Sequence, residues 1–427
     1  MREMKDSGIP WIGEIPKDWE VCRVKDVALL YNGNSIKDEE KENYTDDTNA
    51  NPYISTKDID AVYQTIDYTN VLYTKVEDAY FKIAHSGCSL MCIEGGSAGK
   101  KKAFVERDIS FVNKLCCFSP YGIDGKFLFH YLCSPNFEME FNKYVTGLIG
   151  GVSVSTLKNF ITLVPPIAEQ QRIAEFLDRK CAEVDEMIVL QEQIIEELKA
   201  YKQSVITEAV TKGLDPNAPM RDSGIQWIGQ IPEHWEVRRI GSLFRLRDEK
   251  NYKPMDEVQL LSLYTGIGVF PHGEQEERGN KAVTTEGYKI VRKNDVVVNI
   301  ILAWMGAIGV SNYDGVTSPA YDVYIPNSDA VPHYYHYVFR TKGIAAECYK
   351  YGRGIMMMRW RTYSSEFKQI QIPYPDVTEQ QAIADYLDEK CADIDSLIQT
   401  KLSKIDSLKE YKKSIIYEYV TGKREVE

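Results

Sequence analysis

Two segments of the chain carry apolar residues at the alternating three- and four-residue spacing that is typical of a helix packed against another helix. In the first segment, which follows Glu169, the apolar positions are Leu177, Val184, Met187, Ile194, Leu198, Tyr201 and Val205. In the second segment, which follows Glu379, they are Leu387, Ile394, Leu397, Leu408, Tyr411 and Ile415. This heptad-like pattern predicts two long helices, each of which needs a partner to cover its apolar stripe. We expect each helix to be the partner of the other.

Outside these segments the pattern changes to short β-rich runs. Residues 161–164 and 370–373 form such runs just before the two helices, and residues 295–298 are expected to form a buried strand. The most apolar run, residues 296–310, is interrupted by polar and glycine residues. It is too short to cross a bilayer and predicts buried strands around a turn. The globular parts of the chain are therefore expected to mix α and β structure.

The sequence contains the same unit twice. Residues 4–21 read MKDSGIPWIGEIPKDWEV and residues 220–237 read MRDSGIQWIGQIPEHWEV. EQQRIAEFLDRKCAEVD begins at Glu169, and EQQAIADYLDEKCADID begins at Glu379. Such repetition indicates two copies of a globular module followed by a helix. Because the sequences between the matched blocks diverge, we expect one fold that presents a different surface in each copy.

Composition and charge narrow the class of protein. The 427 residues carry a net charge of −12, but residues 331–375 contain seven basic and two acidic side chains. A locally basic face on an acidic protein is compatible with binding to phosphates. The nine cysteines are odd in number and scattered, which favours reduced thiols in a cytoplasm over a disulfide framework. No apolar stretch follows the first residues, so we expect no secretory signal.

A glycine-rich stretch, GGSAGKKK, runs from Gly95 to Lys102. It fails the spacing of a nucleotide-binding phosphate loop, and Lys101 stands where that loop has serine or threonine. One interpretation is a solvated hairpin tip with a run of charge. The other is a loop that delivers Lys100, Lys101 and Lys102 to DNA phosphates.

The stretch KYGRGIMMMRWR contains further candidate DNA contacts, which are Lys350, Arg353, Arg359 and Arg361. Arginine is suited to bidentate contact with the O6 and N7 atoms of guanine. One interpretation is that Trp360 and the adjacent methionines form the core of a strand, with the arginines on its wet face. We favour DNA contact over an idle surface for Arg353, Arg359 and Arg361. The matched stretch of the first copy, KYVTGLIGG, lacks these arginines, so we expect the two modules to bind different bases.

Four weaker candidates for DNA contact lie near predicted strand ends, and they are Tyr53, Lys57, Tyr264 and Trp304. Core packing is the commoner role of such aromatic residues. Residues 51–53 read Asn-Pro-Tyr, which we interpret as a turn because a methyltransferase motif would need a second proline. Neither zinc-ligand spacing of cysteine and histidine nor a nucleophile–base constellation is visible.

The repeated strings DSGIPWIGEIPKDWEV and DSGIQWIGQIPEHWEV, with VPPIAEQQRIAEFLD, IPYPDVTEQQAIADYLD and TKGLDPNAPMRDSG, resemble type I restriction–modification DNA specificity subunits. The resemblance covers the whole chain. It implies an α+β fold of two similar mixed α/β target-recognition domains separated by two long antiparallel coiled-coil helices. The expected divisions are a first recognition domain at 1–164, a spacer helix at 165–215, a second recognition domain at 216–375 and a second spacer helix at 376–427.

The same resemblance implies a non-catalytic protein. Each recognition domain would bind one half of a bipartite double-stranded DNA target. The helices would hold two methyltransferase subunits, and translocase–endonuclease subunits would join them. S-adenosylmethionine, ATP and magnesium would bind to those partners, with no cofactor in this chain.

The exposed acidic side chains of the first helix are candidates for the subunit interface, and they are Glu183, Glu186, Glu192, Glu196 and Glu197. The alternative is that they only solvate the helix. Two other functions stay open on the residues alone. A methyltransferase or nuclease fused to its own recognition module would need a cofactor loop or an acidic metal cluster. A coiled-coil scaffold unrelated to DNA would leave the divergent module centres unexplained.

Overall fold

The computed structural model describes residues 2–145, 150–265, 267–273, 284–354 and 360–426. Contacts within the chain divide it into two compact units, one of residues 1–192 with 401–427 and the other of residues 193–400. Each unit therefore contains one globular module, the first part of one long helix and the last part of the other.

The globular module of unit 1 mixes strands with short helices and ends at the first long helix. The strands are β1 (Met4–Asp6), β2 (Glu14–Pro16), β3 (Glu20–Arg23), β4 (Ala28–Asn32), β5 (Ala50–Ile54), β6 (Leu72–Lys75), β7 (Ile83–Ala84), β8 (Ser89–Cys92), β9 (Lys102–Phe104), β10 (Ile109–Phe111), β11 (Leu115–Pro120) and β12 (Ile161–Val164). The α-helices are α1 (Gly125–Leu132), α2 (Pro135–Lys143), α3 (Val154–Leu157) and the long α4 (Ile167–Lys212). Short 3₁₀ helices lie at Val24–Asp26, Asp38–Tyr44 and Thr56–Asp58.

The module of unit 2 begins and ends with the same kinds of element. The strands are β13 (Met220–Asp222), β14 (Gln230–Pro232), β15 (Glu236–Arg239), β16 (Phe244–Leu246), β17 (Leu261–Tyr264), β18 (Gly268–Pro271), β19 (Lys289–Val291), β20 (Val296–Asn299), β21 (Ile308–Val310), β22 (Gly315–Thr317), β23 (Tyr321–Pro326) and β24 (Gln371–Tyr374). The α-helices are α5 (Ile240–Leu243), α6 (Pro332–Val338), α7 (Lys342–Tyr351), α8 (Ser364–Phe367) and the long α9 (Val377–Val420), with 3₁₀ turns at Met255–Glu257 and Ala303–Met305.

The two modules share a framework sheet. In unit 1 the antiparallel order is β4-β11-β8-β9, and in unit 2 it is β16-β23-β20-β21. Each module also has an N-terminal hairpin and a two-stranded ribbon that joins its start to its end, β3 with β12 and β15 with β24. The predicted strands at 161–164, 295–298 and 370–373 are confirmed to within one residue.

The module centres differ in structure where they differ in sequence. Unit 1 has a second sheet of order β6-β5-β10-β7, in which β5 and β10 are parallel. The described residues of unit 2 instead form the separate pairs β17-β18 and β19-β22. The predicted α+β architecture of two similar mixed modules with two long helices is thus confirmed, with its variation confined to the centres.

The long helices pack against each other in antiparallel fashion within each unit. In unit 1 the ring centroids of Phe176 and Tyr419 are 4.5 Å apart, and Lys412 Nζ lies 2.7 Å from the Asp185 carboxylate. In unit 2 Lys202 Nζ lies 2.7 Å from the Asp395 carboxylate. Further along, Val210 shares a buried cluster with Leu387. In each unit the residue numbers of these contacts increase along α4 and decrease along α9, so the two helices are antiparallel, as the family resemblance implied. Among the described residues, no helix combines the length and apolar character that a membrane crossing requires.

The predicted apolar stripe is wrong at four positions. Met187, Tyr201, Leu397 and Tyr411 expose between 49% and 58% of their surface. The buried positions include three residues that the predicted pattern omitted, and they are Ile188, Ile195 and Ile405. An α-helix has 3.6 residues per turn, so a strict seven-residue repeat drifts by about 20° per heptad around the helix. The predicted stripe kept a strict seven-residue repeat, whereas the residues that make contact follow the 3.6-residue turn of the helix.

The repeated Glu-Gln-Gln motif joins each module to its long helix. The indole nitrogen of Trp19 donates to Glu169 Oε2 at 3.1 Å, and that of Trp235 donates to Glu379 Oε2 at 2.8 Å. Both indoles are fully buried. The buried side chain of Gln170 accepts a hydrogen bond from Asp124 N at 2.7 Å. Since a buried polar group without a partner is costly, these pairs fix the start of each helix.

The end of each long helix completes the core of a unit. Ile416 and Val420 of α9 lie in the same buried cluster as Trp19. Ile206 and Val210 of α4 lie in the same buried cluster as Trp235. Each core therefore depends on a helix whose other end belongs to the other unit.

We expect Ile416→Ala to lower the stability of unit 1 by about 2–4 kcal/mol, because it leaves a cavity in the buried cluster that contains Trp19. Hydrogen exchange followed by mass spectrometry would show faster exchange in α1 and β11 and little change in α6. Leu397→Ala is the matched control on α9, because its side chain is half exposed and its loss should cost less than about 0.5 kcal/mol. Equal destabilisation of both units by Ile416→Ala would contradict this assignment.

Candidate nucleic-acid interface

The glycine-rich stretch of unit 1 is a hairpin loop. Residues 93–101 connect β8 to β9, and Gly95 and Gly99 adopt φ values of +88° and +73°. These values lie in the left-handed region, which glycine occupies at little cost. A Cβ atom at Gly99 would also lie 2.6 Å from the Phe141 ring. The glycines thus allow a tight loop to fold onto the module.

The three lysines of this loop have different surroundings. Lys100 is exposed, and Lys101 is partly buried and donates from Nζ to the Thr56 carbonyl at 2.7 Å. Lys102 begins β9 and is 4% exposed, and its burial lowers the pKa of its ammonium group. The phosphate contact predicted for Lys102 therefore needs correction, because a lysine on the inward side of a strand presents no charge to DNA.

Lys57 lies beside the glycine-rich loop, because Lys101 is hydrogen-bonded to the carbonyl of the preceding residue, Thr56. Lys57 lies on the 3₁₀ turn that begins at Thr56, and its side chain is 76% exposed. Lys114 was missed by the sequence analysis, and its carbonyl accepts a hydrogen bond from Ile93 N at 3.0 Å. Only the sheet brings Lys114 to the loop, so local sequence gave no signal for it. We call Lys57, Lys100, Lys101 and Lys114 the lysine surface.

Tyr53 belongs to the core of unit 1. It is 6% exposed, its hydroxyl donates to the Asn34 carbonyl at 2.8 Å, and its ring packs against Phe81. Burial raises the pKa of Tyr53 to about 12. The packing alternative is correct here, because the Tyr53 side chain is buried. The turn predicted at 51–53 is wrong, because these residues lie inside β5, where pairing with β6 and β10 outweighs the local preference.

In unit 2 a turn occupies the position of the glycine-rich loop. Residues 300–307 connect β20 to β21, as residues 93–101 connect β8 to β9. The residue that follows β8 or β20 accepts an equivalent hydrogen bond in each module. The Ile93 carbonyl accepts from Val152 N at 3.0 Å, and the Ile300 carbonyl accepts from Thr362 N at 2.8 Å. The candidates of the two modules, the lysines and Trp304, therefore occupy matched places in the framework.

Aromatic and basic side chains gather around this turn. Trp304 lies edge-on to Tyr349 with ring centroids 6.1 Å apart, and Trp360 stacks on Tyr349 at 5.1 Å. The backbones of Arg353 and Arg361 form two mutual hydrogen bonds of 2.9 Å, which hold both arginines beside Trp360. Both arginines are exposed. We call these five residues the aromatic–arginine surface.

The other candidates of unit 2 are paired with acidic side chains, partly buried or outside the described residues. The Arg353 guanidinium forms an ion pair with Glu366, and Lys350 is exposed with Nζ 3.3 Å from Glu347. Tyr264 is partly buried at the end of β17. Arg359 lies outside the described residues. DNA contact by Lys350, Tyr264 and Arg359 stays a prediction.

The acidic candidates of α4 are mostly exposed. Glu186, Glu192, Glu196 and Glu197 lie on the surface of their units, and Glu183 is partly buried beside Lys180. Glu192 accepts a hydrogen bond from the Tyr63 hydroxyl at 3.1 Å. A partner role for these side chains is compatible with their exposure. Within the part of the chain that the structure describes, no three His, Cys, Asp or Glu side chains gather as a metal site would require.

Comparison with known protein families gives a match over both modules. The family model described as type I restriction modification DNA specificity domain matches residues 16–200 and 232–407. The chain belongs to this type I DNA specificity family. Specificity subunits recognise DNA, assemble with methyltransferase and restriction subunits, and are non-catalytic components of those complexes.

Individual members of the specificity family match nearly the whole chain. The type I restriction enzyme MjaVIII specificity subunit of Methanocaldococcus jannaschii is 23% identical over 437 residues, covering 96% of this chain and 93% of that protein. The type I restriction enzyme EcoBI specificity subunit of Escherichia coli is 22% identical over 448 residues, covering 95% of this chain and 87% of that protein.

Two solved structures share the fold of this specificity-family chain. A chain from a study of complex assembly and conformational transition of the type I R-M system has a TM-score of 0.69 at 16% identity, covering 95% of this chain and 98% of that one. The HsdS subunit from Thermoanaerobacter tengcongensis has a TM-score of 0.54 at 16% identity, with coverage of 96% and 98%.

We expect Lys57→Ala with Lys100→Ala to weaken DNA binding by the assembled complex for all sequences. Each lost phosphate contact should reduce the slope of log K against log salt by about 1, because fewer counterions are released. Fluorescence anisotropy at several salt concentrations measures this slope. Lys102→Met is the matched control, since its buried ammonium group should leave the slope unchanged. If the double variant has the wild-type slope, the lysine surface does not contact phosphates and is only a solvated turn.

Proposed function

We propose that each unit recognises one half of a bipartite double-stranded DNA target. The observation that carries this proposal is the repeated framework with different side chains on the same strand connection. A common scaffold that presents lysines in one copy and an aromatic–arginine cluster in the other is suited to recognising two different half-sites. The domain divisions at 1–164, 165–215, 216–375 and 376–427 are part of the same proposal.

The two surfaces support different kinds of contact. Lysine ammonium groups at Lys57 and Lys100 suit phosphates, which fix position and affinity but carry no sequence information directly. Exposed arginines at positions 353 and 361 suit the edges of guanine bases in the major groove. The mutual backbone hydrogen bonds of the two arginines favour this role, because a fixed backbone limits the orientations that each guanidinium adopts.

The helical pair supports assembly. Exposed acidic side chains along α4, which include Glu186, Glu192, Glu196 and Glu197, form a charged face on which methyltransferase subunits dock. In this proposal the translocase–endonuclease subunits join the same complex in the cytoplasm. S-adenosylmethionine, ATP and magnesium bind to those partner subunits, and this chain contributes sequence recognition.

The test of the function is binding of the assembled complex to a library of half-site variants. The wild-type complex should select one bipartite sequence. Arg361→Ala should relax selection in only one half, at a cost of about 1–3 kcal/mol for a lost bidentate contact. Arg239→Ala in β15 is the matched control, because Arg239 is an exposed arginine of the same unit that does not belong to the aromatic–arginine surface. Unaltered preference in both halves for Arg361→Ala and Arg353→Ala would defeat the assignment to base contact.

Docking is tested by charge reversal on α4. Changing Glu186, Glu192, Glu196 and Glu197 to lysine should reduce co-purification of the methyltransferase subunit. The same number of reversals on the exposed 3₁₀ helix Asp38–Tyr44 should leave co-purification unchanged. Normal assembly of the α4 variant would show that the methyltransferase docks elsewhere.

A further inference from the structure

The turn between β20 and β21 has an unusual composition for an exposed connection. Residues 300–307 read IILAWMGA, without one charged, amide or hydroxyl side chain. The matched residues of unit 1, 93–101, read IEGGSAGKK. Met305 exposes 52% of its surface and Leu302 exposes 36%. Neighbouring exposed apolar side chains on one turn are typical of a binding surface.

The same turn is held rigidly. The side chain of Asn299 accepts hydrogen bonds from Ile301 N at 3.0 Å and Leu302 N at 3.3 Å. The Leu302 carbonyl accepts from Met305 N at 2.9 Å, and Gly306 closes the turn at φ +83°. Trp304 anchors the turn from the inside through its contact with Tyr349 and its hydrogen bond to the Ile301 carbonyl. Leu302 and Met305 are therefore presented in a fixed position, which lowers the entropic cost of binding.

Charge around the turn favours DNA as the occupant. Trp304 connects through Tyr349 and Trp360 to the exposed Arg353 and Arg361. A rigid apolar tip beside exposed guanidinium groups matches a ligand with negative charge at its edges and apolar groups between. The major groove of DNA has this character, because phosphates border it and the thymine C5-methyl is the apolar group on its base edges.

We propose that Leu302 and Met305 recognise a thymine C5-methyl group in the major groove of the half-site that unit 2 binds. This inference rests on the proposed function and adds a chemical basis to it. Unit 1 has glycine and lysine at the matched place, so it binds phosphate there. The two half-sites are thus recognised by different physical interactions at the same position of the framework.

The experiment uses DNA duplexes that contain the sequence recognised by the assembled complex. Each thymine of that sequence is replaced by deoxyuridine, one position at a time. Deoxyuridine lacks only the C5-methyl group and pairs like thymine. Loss of one buried methyl should weaken wild-type binding about fourfold, equivalent to ~0.8 kcal/mol. The effect should appear in one half-site only. For the Leu302→Ala/Met305→Ala variant, the thymine and deoxyuridine duplexes should bind equally at that position.

Leu29→Ala is the matched control, because it removes an exposed leucine from β4 of unit 1. It should preserve the fourfold effect of the methyl group. If no thymine shows a methyl effect that depends on Leu302 and Met305, the inference is overturned. If the double variant instead loses methyltransferase co-purification while the thymine pattern stays unchanged, the turn binds protein and the inference is also overturned. Failure of the wild-type complex to distinguish target from scrambled DNA would refute the proposed function itself.

Discussion

The structure depends on apolar packing between the C-terminal end of each long helix and the module other than the one that precedes that helix. Val420 and Ile416 pack in the cluster of Trp19, and Val210 and Ile206 pack in the cluster of Trp235. The fully buried indoles are fixed by hydrogen bonds to Glu169 and Glu379 at the helix starts. Unit 1 is therefore assembled from two distant segments and unit 2 from one continuous segment, and neither core is complete without both helices.

This constraint explains which parts of the sequence repeat and which diverge. The tryptophan blocks and the Glu-Gln-Gln motifs form the contacts between module and helix, so a change on either side would leave a buried polar group or a cavity. Among the described residues, the central strands of each module bury their side chains in clusters separate from those of Trp19 and Trp235. The module centres support a second four-stranded sheet in unit 1 and two separate strand pairs in unit 2 without disturbing the framework. Recognition surfaces are thus free to differ while the assembly stays the same.

Much of the fold could be predicted from sequence because it follows from repetition and periodicity. The two helices and the strands before them were visible in the pattern. The exact contact face of α4 was not, because a seven-residue repeat and a 3.6-residue helix diverge over 46 residues. Lys102 and Tyr53 were misplaced for another reason. Alternation along a strand decides which side faces water, and the sequence alone did not establish where β5 and β9 begin. Lys114 joins the lysine surface only through the sheet.

The central claim is that two copies of one framework recognise two half-sites through their own central surfaces. It is tested most directly by replacing residues 216–375 with a second copy of residues 1–164 and mapping methylated bases across the host genome. The account predicts that both halves of the methylated target become the same half-site sequence. A target whose second half is unchanged would contradict it, because recognition would then lie outside the exchanged module.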